Sequence, residues 1–302
     1  MITSFTNPLP RLPYFRLLEH QKKTKLNSYQ PDYPLILFIF FSRVAAGLSL
    51  VSVFFPESLL WSGVSFGCMV LATFASIAHL SVPQRFLTMI INNRSYLVWE
   101  IRLAGALATF LGLQFLSWFG WFHGYQPYFP WINFGLSILF LISTGWAYRF
   151  ETHPAWKTSL LPLYYLASAS VIGLGLRSIE YPFRGVPFFF AVLILAKGFL
   201  LGLYRNHLKI TSPTSLTKII FDKERWIFLA FLWTVLLLPT LLTFALLIEG
   251  EIVLFHCLLT TSCLVGLFFE RILFFWVERP VFFLSFIANP DLHAKYPYWI
   301  RG

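Results

Sequence analysis

The chain has 302 residues, 57% of them hydrophobic and only 12% charged, whereas a soluble domain carries roughly 25% charged residues because every face must meet water. That composition excludes a soluble globular fold. The net charge of +10 then reads as the Lys/Arg excess of loops on one membrane face, with the lipid bilayer as the partner and not nucleic acid.

Residues 1–33 read as a basic tail, irregular through Pro8, Pro10, Pro13 and Pro31 and charged at Lys22-Lys23, with no cleaved export signal. Beyond it the apolar residues fall in runs of about 20, the length a helix needs to cross roughly 30 Å of hydrocarbon while bonding all its own backbone groups. Spans are placed, each to within a few residues, at 34–55, 59–81, 97–119, 129–148, 159–176, 186–204, 226–247 and 252–275. The predicted fold is therefore all-α, a polytopic integral membrane protein with a bundle of about eight transmembrane helices over residues 34–275. Residues 276–302 are interrupted by Pro280 and Pro290 and are expected to lie along the cytoplasmic surface.

The connections alternate in charge. Pro56-Glu57-Ser58, the stretch from Trp121 to Pro127, and Glu249-Gly250-Glu251 carry no Lys or Arg, while the other side carries Arg85, Arg94, Arg149, Lys157, Arg205, Lys209, Lys218 and Lys223. Only Arg177 and Arg184 break the asymmetry. The positive-inside rule predicts a multi-pass protein of the cell (inner) membrane with both termini in the cytoplasm.

Charged side chains within the hydrocarbon cost about 2.5 kcal/mol or more, so each requires a partner, a cavity or a task. Arg43 lies about 13 Å inside its span at the helical rise. His79, Glu100, Arg102, Lys197, Glu270 and Arg271 fall in the same inner half, and the outer half is expected to hold almost no ionisable group beyond the Arg177/Glu180 edge and His256. This predicts a one-sided polar cavity lined by Arg43, Arg102, Lys197 and Arg271. The plainer alternative is structural ion pairing, such as Arg43 with Glu100, and snorkelling of long side chains.

His79 and Glu100 differ from the rest because an imidazole titrates near neutrality and a half-buried carboxyl can be raised toward it. A quinol releases two electrons and two protons, so His79 is expected to contact a quinone oxygen and accept a proton, and Glu100 to relay it. Haem is not expected, since His79 and His256, the histidines in or at the ends of spans, sit at opposite faces. No metal site is expected, and Cys68, Cys257 and Cys263 are too few and unpaired for an iron–sulfur cluster within this chain. Two other classes stay open: a small-molecule transporter using the same inner cavity, which would favour repeats or broken helices, and a non-redox assembly anchor.

These residues resemble a family, the membrane anchor subunits of dimethyl sulfoxide reductase and related molybdopterin oxidoreductases, allied more distantly to polysulfide-reductase anchors. The resemblance runs through Pro34-Leu35 to Ala45-Ala46-Gly47, then His79-Leu80 with Pro83 and Arg85, then Ser95, Leu97, Glu100 and Ile101, then Pro154-Ala155-Trp156 and Arg271. It implies menaquinol binding and oxidation by His79, Arg85 and Glu100, with menaquinone or its quinol as an exchangeable substrate. It also implies an iron–sulfur electron-transfer subunit docked over the site and a molybdopterin catalytic subunit beyond. The chain departs from the family pattern at Val98, where a serine is usual, and at Leu267, where a glutamate is usual, with Glu270 beside Arg271 instead.

Overall fold

The computed structural model describes residues 33–79, 96–148, 158–182, 185–211, 225–249 and 253–277. The tails expected at 1–33 and 276–302 lie outside them, except that Tyr33 opens the first helix and Trp276 and Val277 close the last. The helices are α1 (Tyr33–Ser52), α2 (Leu59–His79), α3 (Tyr96–Ser117), α4 (Phe129–Ala147), α5 (Leu160–Glu180), α6 (Gly185–Thr211), α7 and α8 (Val253–Val277). Helix α7 is assembled from Arg225–Leu232, a π-helical turn Trp233–Leu237, and Leu238–Glu249. Eight helices are long and apolar enough to cross a membrane, and the chain is an all-α polytopic membrane protein. Successive spans run in opposite directions, so His79, the start of α3 and the end of α4 share the face at which α1 begins. The α1–α2 loop lies at the other face.

Helices α1 and α5 form the centre. In their most apolar windows 72% and 67% of residues are buried, against 22% to 28% in α2, α3, α6 and α7. Small residues make this possible, because without a hydrophobic drive between helices in lipid, close backbone approach is what gains contact. Gly47 of α1 and Gly173 of α5 meet backbone to backbone, and a Cβ on Gly173 would overlap the Gly47 carbonyl. The outer helices turn Phe74, Phe188, Leu195, Phe199 and Phe244 outward, each more than half exposed, as lipid contact requires.

Between α1, α2, α3 and α4 the middle depth is dry, filled by Ala45, Met69, Ala72, Leu107, Phe140 and Leu141. At the α1–α2 loop face α3 unwinds through Gly120 (φ 87°) and Phe122 (φ 58°) into a 3₁₀ turn, His123–Tyr128. Trp121, Tyr125, Tyr128 and Trp131 are exposed there, at the level where amphipathic rings prefer the headgroup layer.

The π-helical turn in α7 has a local cause. Leu238 N–H reaches the Trp233 carbonyl, so the next such bond, from residue 239 to Thr234, would need an N–H that Pro239 lacks. The orphaned Thr234 carbonyl accepts instead from Ser262 Oγ of α8 at 2.8 Å. Gly266 of α8 lets the bulged strand of backbone approach, since a Cβ there would lie 2.6 Å from Val235 Cγ2.

The α1–α5 crossing sets a paired test. Gly173→Ala should lower the melting temperature in detergent, as overpacking costs about 1–3 kcal/mol or more, while Gly202→Ala, at a position with nothing within 4 Å of the added Cβ, should be neutral or stabilising by up to about 1 kcal/mol. Equal effects of the two would show that α1 and α5 are not in backbone contact.

Candidate functional site

Glu270, deep in α8, is the hub of the largest buried charge cluster among the described residues. Arg43 Nη1 of α1 donates to its Oε1 at 2.8 Å, and Lys197 Nζ of α6 lies 3.0 Å from its Oε2. The neighbouring Arg271 pairs with Oε1 as well. From α5, Tyr164 OH donates to Oε2 at 2.9 Å and Ser168 Oγ at 3.5 Å. Arg271 Nη1 donates to Tyr165 OH at 2.9 Å, and the Arg43 guanidinium lies 3.6 Å from the centre of the Tyr165 ring.

Four helices are thereby tied to one carboxylate. Three cations face one anion, all at most 5% exposed, so the cluster is electropositive among the described residues. Arg43 Nε and Nη2 and Arg271 Nε have no hydrogen-bond partner there.

Glu100 sits beside this cluster. It is 2% exposed on the inward face of α3, with Thr144 of α4 as its polar neighbour and its Oε1 without a hydrogen-bond partner among the described residues. Tyr148, at the end of α4, lies within electrostatic reach of Glu100 on one side and of Arg43 and Arg271 on the other. Its ring packs edge-on against Phe274 at 5.8 Å and tilted against Tyr165 at 6.5 Å. An aromatic bridge thus runs from the Glu100 carboxyl to the arginines.

Of the residues singled out from sequence, Arg43, Lys197 and Arg271 come together around Glu270, and Glu100 lies next to them. The suggested pairing of Arg43 with Glu100 is corrected, since Arg43 bonds Glu270; a sequence cannot rank two carboxylates at similar depth. Arg102 does not join the cluster. It is half-buried and lies 5.6 Å from the ring of Trp99, itself 50% exposed on the outer side of α3. His79 is the last residue of α2, at the same membrane face as the start of α3, while its side chain and the whole of Arg85 lie outside the described residues.

The opposite end carries a second polar network that sequence reasoning missed; its ionisable members are Arg177, already expected at that edge, and Glu57 of the α1–α2 loop, and the rest are neutral, chiefly amides and hydroxyls. Glu57, in the α1–α2 loop, accepts from Gln114 Nε2 of α3 at 2.6 Å and from Ser62 Oγ of α2 at 3.4 Å. Asn133 Nδ2 of α4 donates to Gln114 Oε1 at 2.6 Å, and Trp118 Nε1 to Ser62 Oγ at 3.2 Å. Arg177 of α5 donates to the Pro56 carbonyl at 2.6 Å. Burial pushes the Glu57 carboxyl up from its ordinary value, against the opposing pull of Arg177, Gln114 and Ser62. The usable signal was Gln114 and Asn133, neutral amides within spans, where an amide without a partner is costly.

No protein-family model matches the chain, and no curated protein matches it in sequence. Among the described residues no group of three or more His, Cys, Asp or Glu side chains could hold a metal ion.

The charge cluster makes a stability prediction. Glu270→Gln leaves three buried cations facing one another and should cost about 3–5 kcal/mol, the usual loss when one partner of a buried pair is removed. Adding Lys197→Met should restore part of it. An unchanged melting temperature for Glu270→Gln in detergent would mean that other anions compensate the cations.

Proposed function

We propose that this chain is the quinone-interacting membrane anchor subunit of a multi-subunit oxidoreductase, passing electrons between menaquinol and the iron–sulfur subunit of a molybdopterin enzyme. The observation that carries the reading is Glu100: a carboxyl buried in the hydrocarbon-spanning part of α3 with one oxygen unpartnered among the described residues, at the membrane face where α2 ends in His79. A buried carboxyl with an open oxygen is costly, and proton exchange would give that oxygen a task.

The chemistry follows from the balance of quinol oxidation. Two O–H bonds break, two electrons leave to the partner's cluster, and two protons must be accepted. His79 takes one at its imidazole and Glu100 takes the other at its open oxygen. Arg85 orients the quinone headgroup. The electropositive cluster of Arg43, Lys197 and Arg271, on the far side of Tyr148, stabilises electron-rich oxygen as the O–H bonds break. Both termini and this site face the cytoplasm in this reading, as the Lys/Arg distribution indicates.

The complex, purified in mild detergent with its partners, tests this directly. Glu100→Gln should lower quinol-dependent electron transfer by about 10²-fold or more, the usual contribution of a positioned acid or base, and should weaken binding of a hydroxyquinoline N-oxide. Wild-type turnover and inhibitor affinity in the variant would remove Glu100 from the site. A lone chain that binds no quinone analogue would overturn the assignment in favour of a transporter.

A further inference from the structure

The network around Glu57 has features that a structural hydrogen-bond cluster does not need. Among the described residues, buried atoms remain unpaired within it: Glu57 Oε1, Trp61 Nε1, Asn133 Oδ1, and Arg177 Nε and Nη1. Glu57, Trp61 and Arg177, with Ser62, Ser65 and Gln114, line one small cavity of about 10 Å³. That is close to the smallest volume that holds a water, and a buried water needs two to four polar partners. These walls supply them.

The cavity is not isolated. Glu57 and Ser52 also line a vestibule of about 340 Å³ that continues past Phe55, Gln126 and Trp131, at the level of the exposed aromatic residues of the loop face. Toward the core, Ser65 Oγ lies 3.4 Å from Ser49 Oγ, and each donates to the Ala45 carbonyl, at 3.0 and 2.9 Å. Hydroxyls therefore continue about one helical turn below Ser62. There the line stops at Leu111 and at the dry layer of Leu107, Met69 and Phe140. Gln114 and Glu100, at the two ends of α3, are separated by about 21 Å at the helical rise, so the two polar networks are distinct.

The chemistry of the walls selects what enters. A volume of one water excludes organic solutes. Water and the proton it carries fit. The charged groups facing Glu57 are Arg177, and beyond it Glu180, which accepts from Ser58 at 3.2 Å; His256 of α8 is engaged with Ser178 at 3.0 Å.

We propose that this network is a proton-exchange inlet open to the face opposite Glu100: water enters through the vestibule and Glu57 exchanges protons with it, while the hydroxyls of Ser62, Ser65 and Ser49 extend the polar zone no farther than the dry layer. The inlet is independent of the quinone reading and stands or falls separately from it.

The test uses the full chain reconstituted in sealed, oriented liposomes. Infrared difference spectra are recorded while the pH is lowered on one side at a time. Acidifying the α1–α2 loop side should produce a carboxyl C=O band that is missing in Glu57→Gln, and acidifying the other side should not produce that band. A band that survives Glu57→Gln, or that follows the other side, overturns the proposal. A second variant leaves Glu57 in place: Ser62→Cys, in a chain with Cys68, Cys257 and Cys263 replaced by alanine, is exposed to Ag⁺, which is close to water in size. Labelling at least tenfold faster from the loop side supports the inlet, and equal or absent labelling overturns it.

Discussion

One carboxylate, Glu270, holds α1, α5, α6 and α8 in register. In water an ion pair of this kind would be worth little, but at this depth neither Arg43 nor Lys197 has bulk solvent to return to, and separating them from Glu270 would leave charge in hydrocarbon. The rest of the bundle is compatible with that requirement. Gly47 and Gly173 bring α1 and α5 together closely enough for Arg43 to lie over Tyr165, and Tyr164 and Tyr165 supply the hydroxyls that complete the shells of Glu270 and Arg271. The cluster is a specification of helix rotation as much as a source of stability, because a rotation of any of the four helices that turned its contributing side chain away would break a bond.

The two polar regions have different electrostatic characters. Around Glu270 positive charge exceeds negative among the described residues. Around Glu57 a single arginine is balanced by Glu57 and Glu180, and most of the hydrogen bonding is done by neutral amides and hydroxyls. A layer of Leu107, Met69 and Phe140 lies between. Each buried ionisable group costs insertion free energy, which the bonds around it must offset.

Much of the fold was legible in the sequence because hydropathy and length alone set a span; those expected at 59–81 and 129–148 differ from α2 and α4 by only a residue or two at either end. The depth of Arg43, Lys197 and Arg271 was legible for the same reason. Their common partner was not, because it depends on the rotation of α8 relative to α1 and α6, and Arg43 and Glu270 are 227 residues apart. The network at Glu57 was missed because one amide in each span, Gln114 or Asn133, does not reveal that the other is its partner, which depends on how α3 and α4 face one another. The π-helical turn at Trp233–Leu237 was foreshadowed only by Pro239, a residue that transmembrane helices often tolerate without a bulge.

The position of Arg43 also governs how the protein must be built. The ribosome delivers α1 first, yet every group that bonds its guanidinium belongs to α5 or α8, far later in the chain. Until those helices emerge, the arginine has to bend its long stem toward the headgroups or remain sheltered by the insertion machinery. The first helix therefore takes its final depth and rotation late. Biogenesis of this bundle is closed by its last helix, and a nascent chain ending before Glu270 holds a central strut that is threaded but not yet locked.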